Sequence, residues 1–133
     1  MILVDSSVWV DHLNDIPTPQ VVWLRGVIIG HRALMIVGDL VLCEVLQGLS
    51  SEPEAARVEH ALRRFRMVSL AGPEIAIRSA ANYRDLRRGG ITVRKTIDML
   101  IGTYCIEERH ALLHSDRDFD PLEWYLGLHV IHS

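Results

Sequence analysis

Ile2-Leu3-Val4-Asp5-Ser6-Ser7-Val8-Trp9-Val10 decides how this chain is read. Three consecutive apolar residues fit a short strand buried on both faces, and a carboxylate stands directly at its end. Ser6 or Ser7 then caps a helix carrying Val8, Trp9 and Leu13. A strand that runs into an acid and then into a helix is how an α/β fold begins. In such folds, sites lie beyond the carboxyl ends of the strands.

The same change of period recurs along the chain. Pro17 and Pro19 open a second helix closed by Gly30, Ala33 to Val37 reads as a second strand, and Gly38-Asp39 starts a helix reaching Gln47. Pro53 starts a further helix, Met67 to Leu70 is a third strand, and Pro73 opens a long helix ending at Gly89-Gly90. Thr96 caps the most regular helix, in which Ile97, Leu100, Ile101, Tyr104 and Cys105 keep helical spacing. Ala111 to His114 is a fourth strand, Pro121 to Leu126 a short helix, and Leu128 to Ile131 a last strand. The pattern predicts a three-layer α/β/α domain around a mostly parallel sheet, with residues 1–133 forming a single domain.

Composition narrows the function. Hydrophobic residues at 49% and charged residues at 23% describe a chain with a core, not a disordered one. Arg25, Asp39 and Glu44 interrupt the richest apolar stretch, so no membrane span is expected. No basic region precedes Ile2-Leu3-Val4, which is not the pattern of a signal peptide, and a cytoplasmic location is expected. Cys43 and Cys105 both sit in apolar strings and read as buried thiols of a reducing compartment. A net charge of −3 argues against coating nucleic acid by bulk electrostatics. The charge is unevenly placed, however. Arg84, Arg87, Arg88, Arg94 and Lys95 face a single acid, Asp85, within residues 84–95, and Arg57, Arg63, Arg64 and Arg66 cluster around Glu59.

Four carboxylates stand where solvated acids do not belong. Asp5 ends the first strand and Asp116 follows the fourth. Glu44 lies inside the apolar helix Leu40-Val41-Leu42-Cys43-Glu44-Val45-Leu46, and Asp98 sits in the first turn of the Thr96 helix, with Gly102 leaving open space above it. Burying an ionised carboxylate without a partner costs several kcal/mol at least. No basic residue lies within four positions of Asp5 or Glu44. The economical partner for an all-oxygen donor set is a hard divalent cation, Mg²⁺ or Mn²⁺.

The opening stretch resembles that of the PIN-domain ribonucleases, specifically the VapC-type toxins of bacterial toxin–antitoxin pairs. The resemblance continues through Glu44, through Gly90-Ile91-Thr92-Val93-Arg94-Lys95-Thr96-Ile97-Asp98-Met99-Leu100-Ile101, and through Leu113-His114-Ser115-Asp116-Arg117-Asp118-Phe119. It implies that Asp5, Glu44, Asp98 and Asp116 form the acidic quartet that holds Mg²⁺ or Mn²⁺ and carries catalysis. It implies that the Ser6 and Ser115 hydroxyls orient a ligand or substrate, and that Asp118 assists Asp116 or caps the short helix after Phe119. It further implies phosphodiester hydrolysis of RNA leaving a 5′-phosphate and a 3′-hydroxyl, homodimers, and a cognate antitoxin that wraps the helices around the site. Trp9, Val22 and Trp23 are candidates for lining that groove. Arg87, Arg88 and Arg94 lead into the Asp98 helix and are the candidates for binding RNA, single-stranded or looped, because a crevice admits a splayed strand more easily than a duplex.

Rival chemistries lack their residues. A phosphoacceptor receiver needs a lysine after a late strand, and a haloacid-dehalogenase-like phosphatase needs an acid at position 7, which is Ser. His110 and His114 are spaced as zinc ligands, but a helix ends and a strand begins between them. A phosphate-binding glycine loop and a nucleophile elbow are both absent. The remaining alternative is a PIN-like module that binds RNA or protein without cutting.

Overall fold

The structure, a computed structural model, describes residues 1–133. Four strands, β1 (Ile2–Val4), β2 (Met35–Gly38), β3 (Arg66–Val68) and β4 (Ala111–Leu113), form one sheet in the order β3-β2-β1-β4. All pairings are parallel, with Leu3 opposite Ile36 and Leu112, and Val37 opposite Met67. Parallel neighbours need long crossovers, and helices supply them. These are α1 (Ser6–Leu13), α2 (Pro19–His31), α3 (Asp39–Gln47), α4 (Glu52–Leu62), α5 (Pro73–Arg88), α6 (Thr96–Glu108) and α7 (Asp120–Leu126). Helix α1 packs on α2 and α3, and α3 on α4, while α5 packs on α6 and α7. The central strands β1 and β2 and the edge strand β4 are covered on both faces: Leu3, Val4, Ile36, Val37, Leu112 and Leu113 are all buried. The α/β/α arrangement expected from the period changes is thus present.

The strand order locates the site. The chain moves outward from β1 to β2 and β3, then returns to place β4 on the other side of β1. The order therefore reverses between β1 and β4, where a doubly wound sheet opens its crevice. Asp5 follows β1 and Asp116 follows β4 at this edge, and the Asp5 amide donates to the Leu113 carbonyl at 2.9 Å.

Several boundaries differ from the sequence reading. Asp5, not Ser6 or Ser7, caps α1, and Lys95 occupies the cap position of α6 with Thr96 as its first residue. Helix α2 runs through Gly30 to His31, and a 3₁₀ turn over Arg32–Leu34 delays β2 to Met35. The last expected strand shrinks to one bridge, Leu112 to Val130, because only the Leu112 amide and carbonyl find partners there, His129 and Ile131. Cys43 is exposed on the outer face of α3, whereas Cys105 is buried as expected. The space expected above Asp98 at Gly102 is taken by Leu122, whose Cγ lies 3.5 Å from where a Cβ would stand.

Gly38 joins β2 to the helix that carries Glu44, and its constraint is steric. A Cβ there would lie 2.6 Å from Cγ and 2.9 Å from Cδ2 of the fully buried Leu70. Because Cγ itself is in the way, turning the Leu70 methyls about χ2 does not relieve the clash, and a new χ1 would have to find room in a closed core. Gly38→Ala is expected to lower stability by about 2 kcal/mol, as overpacking of a closed core does, read as a lowered melting temperature.

Candidate active site

The four expected acids, Asp5, Glu44, Asp98 and Asp116, converge on a cavity of about 390 Å³ that Ser6, Ser7, Lys95, Ser115 and a fifth acid, Asp11, also line. Asp5 is 3% exposed, because β1 delivers it straight from the core, and α1 begins over its side chain. Its Oδ2 accepts from the Ser7 amide at 3.0 Å and the Ser7 hydroxyl at 2.6 Å, while its Oδ1 is buried with no partner. Asp98 is equally buried, in the first turn of α6, and its Oδ2 also lacks a partner. Glu44 is half-buried on α3, between the buried Val41 and Val45, and accepts from the Ser6 hydroxyl at 3.2 Å. Asp116 is half-buried; its Oδ1 caps the following 3₁₀ turn by accepting from the Asp118 amide at 2.9 Å.

Electrostatics show what the cluster lacks. Burial, reinforced by Asp5 and Asp116, pushes the Asp98 carboxyl up to about 7. Burial likewise raises Asp5 despite its Ser7 hydrogen bonds, and burial with the nearby Asp5 raises Glu44. Each acid resists ionising because its neighbours are acids and water is excluded. Two orphaned carboxylate oxygens in an all-oxygen donor set fit a hard divalent cation, whose charge would reverse all three shifts. Asp98, Asp116 and Asp118 bring one oxygen each to within 4.8 Å of one another, so Asp118 belongs to this cluster. It does not cap the helix after Phe119. That helix has no side-chain cap; Asp116 caps the 3₁₀ turn before it, and Asp118 lies 3.5 Å from the Arg94 guanidinium.

The PIN domain family profile matches residues 2–124. This chain belongs to the PIN domain family. The VapC ribonuclease Mb1587 of Mycobacterium bovis is 29% identical over 123 residues, covering 92% of this chain and 91% of that relative. Among solved structures, the DNA-bound VapBC of Salmonella typhimurium aligns with a TM-score of 0.75 at 17% identity, over 98% of this chain and 96% of that one. The promoter-DNA-bound VapBC2 of Rickettsia felis aligns with a TM-score of 0.74 at 16% identity, over 98% of both chains. At those identities the structural likeness establishes the fold.

In this PIN domain the three candidate arginines part company. Arg94 reaches the acidic cluster through Asp118. Arg87 lies 5.6 Å over the Tyr83 ring, in a groove between α5 and α6 that Thr96 also lines. Arg88 is held by Asp85 at 2.7 Å, on the exposed end of α5. Ser115 lines the cavity, but its visible bond is from its amide to the Ser7 hydroxyl, at 3.2 Å. His110 lies 3.3 Å from the N-terminal amine, and the buried His114 accepts the Asp116 amide on Nδ1 at 3.1 Å; they form no pair. Burial holds His114 below the ordinary imidazole range.

Sequence reasoning named Ser7 only as a possible helix cap and Lys95 only as part of the basic stretch, and gave neither a place in the site of this PIN domain. Ser7 is the hydroxyl that grips Asp5, and an Asp followed two positions later by Ser at a helix start was the available signal. Lys95 sits 3.7 Å from Asp116 Oδ2, and the signal was that it is the chain's only lysine. Ser7→Ala removes the shorter of two bonds to Asp5 and the acceptor of the Ser115 amide. It is expected to cost about 1 kcal/mol of stability and roughly tenfold in cleavage rate. Thermal melts and single-turnover kinetics check this.

Proposed function

We propose that this PIN domain, residues 1–133, is a Mg²⁺- or Mn²⁺-dependent ribonuclease toxin neutralised by a cognate antitoxin. The observation that carries the reading is the cavity in which four acids meet with buried oxygens of Asp5 and Asp98 unpartnered. Nothing in the site favours a non-cleaving module, since all four acids are intact and face the same space. Asp5 and Asp98 hold the cation, with Glu44 and Asp116 completing its surroundings. The bound ion supplies positive charge that polarises a phosphate oxygen and acidifies water.

The chain's own residues do the positioning. Ser7 fixes the rotamer of Asp5 from two atoms, and Ser6 steadies Glu44 across from it. Arg94, through Asp118, sets a positive charge at the rim where an RNA strand enters, and Arg87 extends that approach along α5. Hydrolysis joins a water oxygen to phosphorus as the bond to the 3′-oxygen breaks, leaving a 5′-phosphate on one fragment and a 3′-hydroxyl on the other. The RNA is single-stranded or looped, because a crevice admits a splayed strand more easily than a duplex.

The antitoxin covers the apolar surface that α1 and α2 leave exposed, where Val10, Leu13, Ile16 and Val22 are 40–61% exposed. Trp23 is half-buried beside it, but Trp9 is core at 2% exposed and takes no part. The active form is a homodimer. No helix is long and apolar enough to cross a membrane.

The test is incubation of antitoxin-free protein with total cellular RNA, with Mn²⁺ and with EDTA. Discrete fragments carrying 5′-phosphates, formed only with the metal, are expected. Cleavage that persists in EDTA overturns the metal-dependent mechanism.

A further inference from the structure

The cavity's only basic lining residue is Lys95. Its ammonium lies 3.7 Å from Asp116 Oδ2, beyond hydrogen-bond distance, and its side chain is 59% exposed. It makes no capping bond to α6, although it occupies the cap position. Most lysines stand in solvent with their donors unspent, so what sets Lys95 apart is its place among the residues lining the acidic cavity. This one hangs over a carboxylate cluster with its donors unspent.

Charge gives it a task. Against four carboxylates, one divalent cation leaves two negative charges uncompensated, and a phosphodiester brings another. Arg94 is the nearest alternative, but Asp118 takes its guanidinium at 3.5 Å and its side chain is 82% exposed at the rim. Lys95 lines the cavity from its exposed side and offers three freely rotating donors on a compact charge, which suits a tetrahedral phosphate whose oxygens shift during reaction.

We infer that Lys95 is a substrate-contacting catalytic residue, its ammonium meeting a non-bridging oxygen of the scissile phosphate in the ribonuclease reaction proposed above. With a cation held by the acidic cluster, Lys95, whose one ion-pair partner is Asp116 at 3.7 Å, would have its donors free for the incoming phosphate. It holds its proton throughout, so it adds nothing to the proton balance of hydrolysis. Its contribution is charge placed where the pentacoordinate phosphorus accumulates it.

The experiment compares wild type, Lys95→Met and Lys95→Arg on a single-stranded RNA oligonucleotide spanning a cut site mapped in total RNA, at saturating Mn²⁺. Mn²⁺ affinity is measured separately by the loss of the free-ion paramagnetic resonance signal. Lys95→Met is expected to lower kcat about 100-fold, the scale of a lost charge-stabilising donor. KM should change less than kcat, Lys95→Arg should recover part of the loss, and Mn²⁺ should bind the Met variant at least as tightly as wild type. An unchanged kcat in Lys95→Met beside an active wild type overturns this inference alone. So does a loss that weakened Mn²⁺ binding fully accounts for, since Lys95 would then serve the metal site. Wild-type protein that never cuts overturns the ribonuclease reading, and this inference with it.

Discussion

Asp98→Asn is expected to reduce RNA cleavage by more than about 1000-fold, the scale of losing a group that holds the catalytic ion, while making the metal-free protein more heat-stable. The two effects have one cause. Asp98 is 3% exposed, its Oδ2 has no partner, and Asp5 and Asp116 crowd it. In the unfolded chain its carboxyl titrates at its ordinary value of 3.8, whereas in the metal-free fold it titrates at about 7. The folded state therefore holds the proton more tightly than the unfolded one. Stability from this group is complete below about pH 4, falls as pH rises toward 7, and is flat above. This slope runs opposite to that of a carboxylate in a salt bridge. Asparagine, which has no charge to bury, should remove the slope and raise the melting temperature in EDTA at pH 8 by about 5 °C. Mn²⁺ reverses the sign for wild type, because the ion requires the ionised carboxylate, so its affinity should fall as pH drops below about 7. Melting curves at pH 5 and pH 8, in EDTA and in Mn²⁺, read all of this. A variant that melts lower than wild type in EDTA at pH 8 would show that Asp98 is already compensated within the fold.

The residues that could be read from sequence are those that break a local rule. Asp5 ends an all-apolar run, Glu44 interrupts an apolar helix, and Asp98 and Asp116 stand at element boundaries. All four line the cavity at the point where strand order reverses. Ser7 and Lys95 break no rule. A serine at a helix start and a lysine in a basic stretch are ordinary, and their roles arise from Ser115 and Asp116, which the chain brings back after a long excursion. Periodicity found the four strands because short apolar runs bounded by turn residues fit strands better than helices, although β3 begins at the exposed Arg66 and is only half-buried. It misjudged the last one, where Leu128 and Val130 are buried by packing but find a ladder partner only in Leu112. It misplaced Cys43 for a related reason. A helix apolar around its circumference does not declare which side faces out, and α3 turns Val41 and Val45 inward. Gly102 was open space only on a helix viewed alone. In the fold Leu122 of α7 packs into it, tying the helix that carries Asp98 to the segment that follows Asp116.

Asp116 and Asp118 offer similar carboxylates two positions apart, and they are expected to differ sharply when neutralised. Both bring an oxygen near Asp98. Asp116 spends Oδ1 on the Asp118 amide, but its Oδ2 faces only Lys95 at 3.7 Å, which leaves it available to a cation. Asp118 already has the Arg94 guanidinium 3.5 Å from its Oδ1, so part of its charge is spent outward, toward the rim. Asp116→Asn should cut kcat by roughly 100- to 1000-fold and weaken Mn²⁺ binding, as loss of a direct ligand does. The fold should survive, because an asparagine oxygen can still accept the Asp118 amide and cap the turn. Asp118→Asn should cost only about tenfold, the effect of losing a group that orients a ligand without holding the ion. Its loss should also free Arg94, raising RNA affinity at low salt while steepening its decline with salt, since one more guanidinium then faces phosphate. Mn²⁺ titrations and salt-dependent RNA binding of the two variants separate the roles. If Asp118→Asn instead proves the more damaging at saturating Mn²⁺, the ion sits on the Arg94 side of the cluster, and Asp116 serves it chiefly as the cap that shapes the turn.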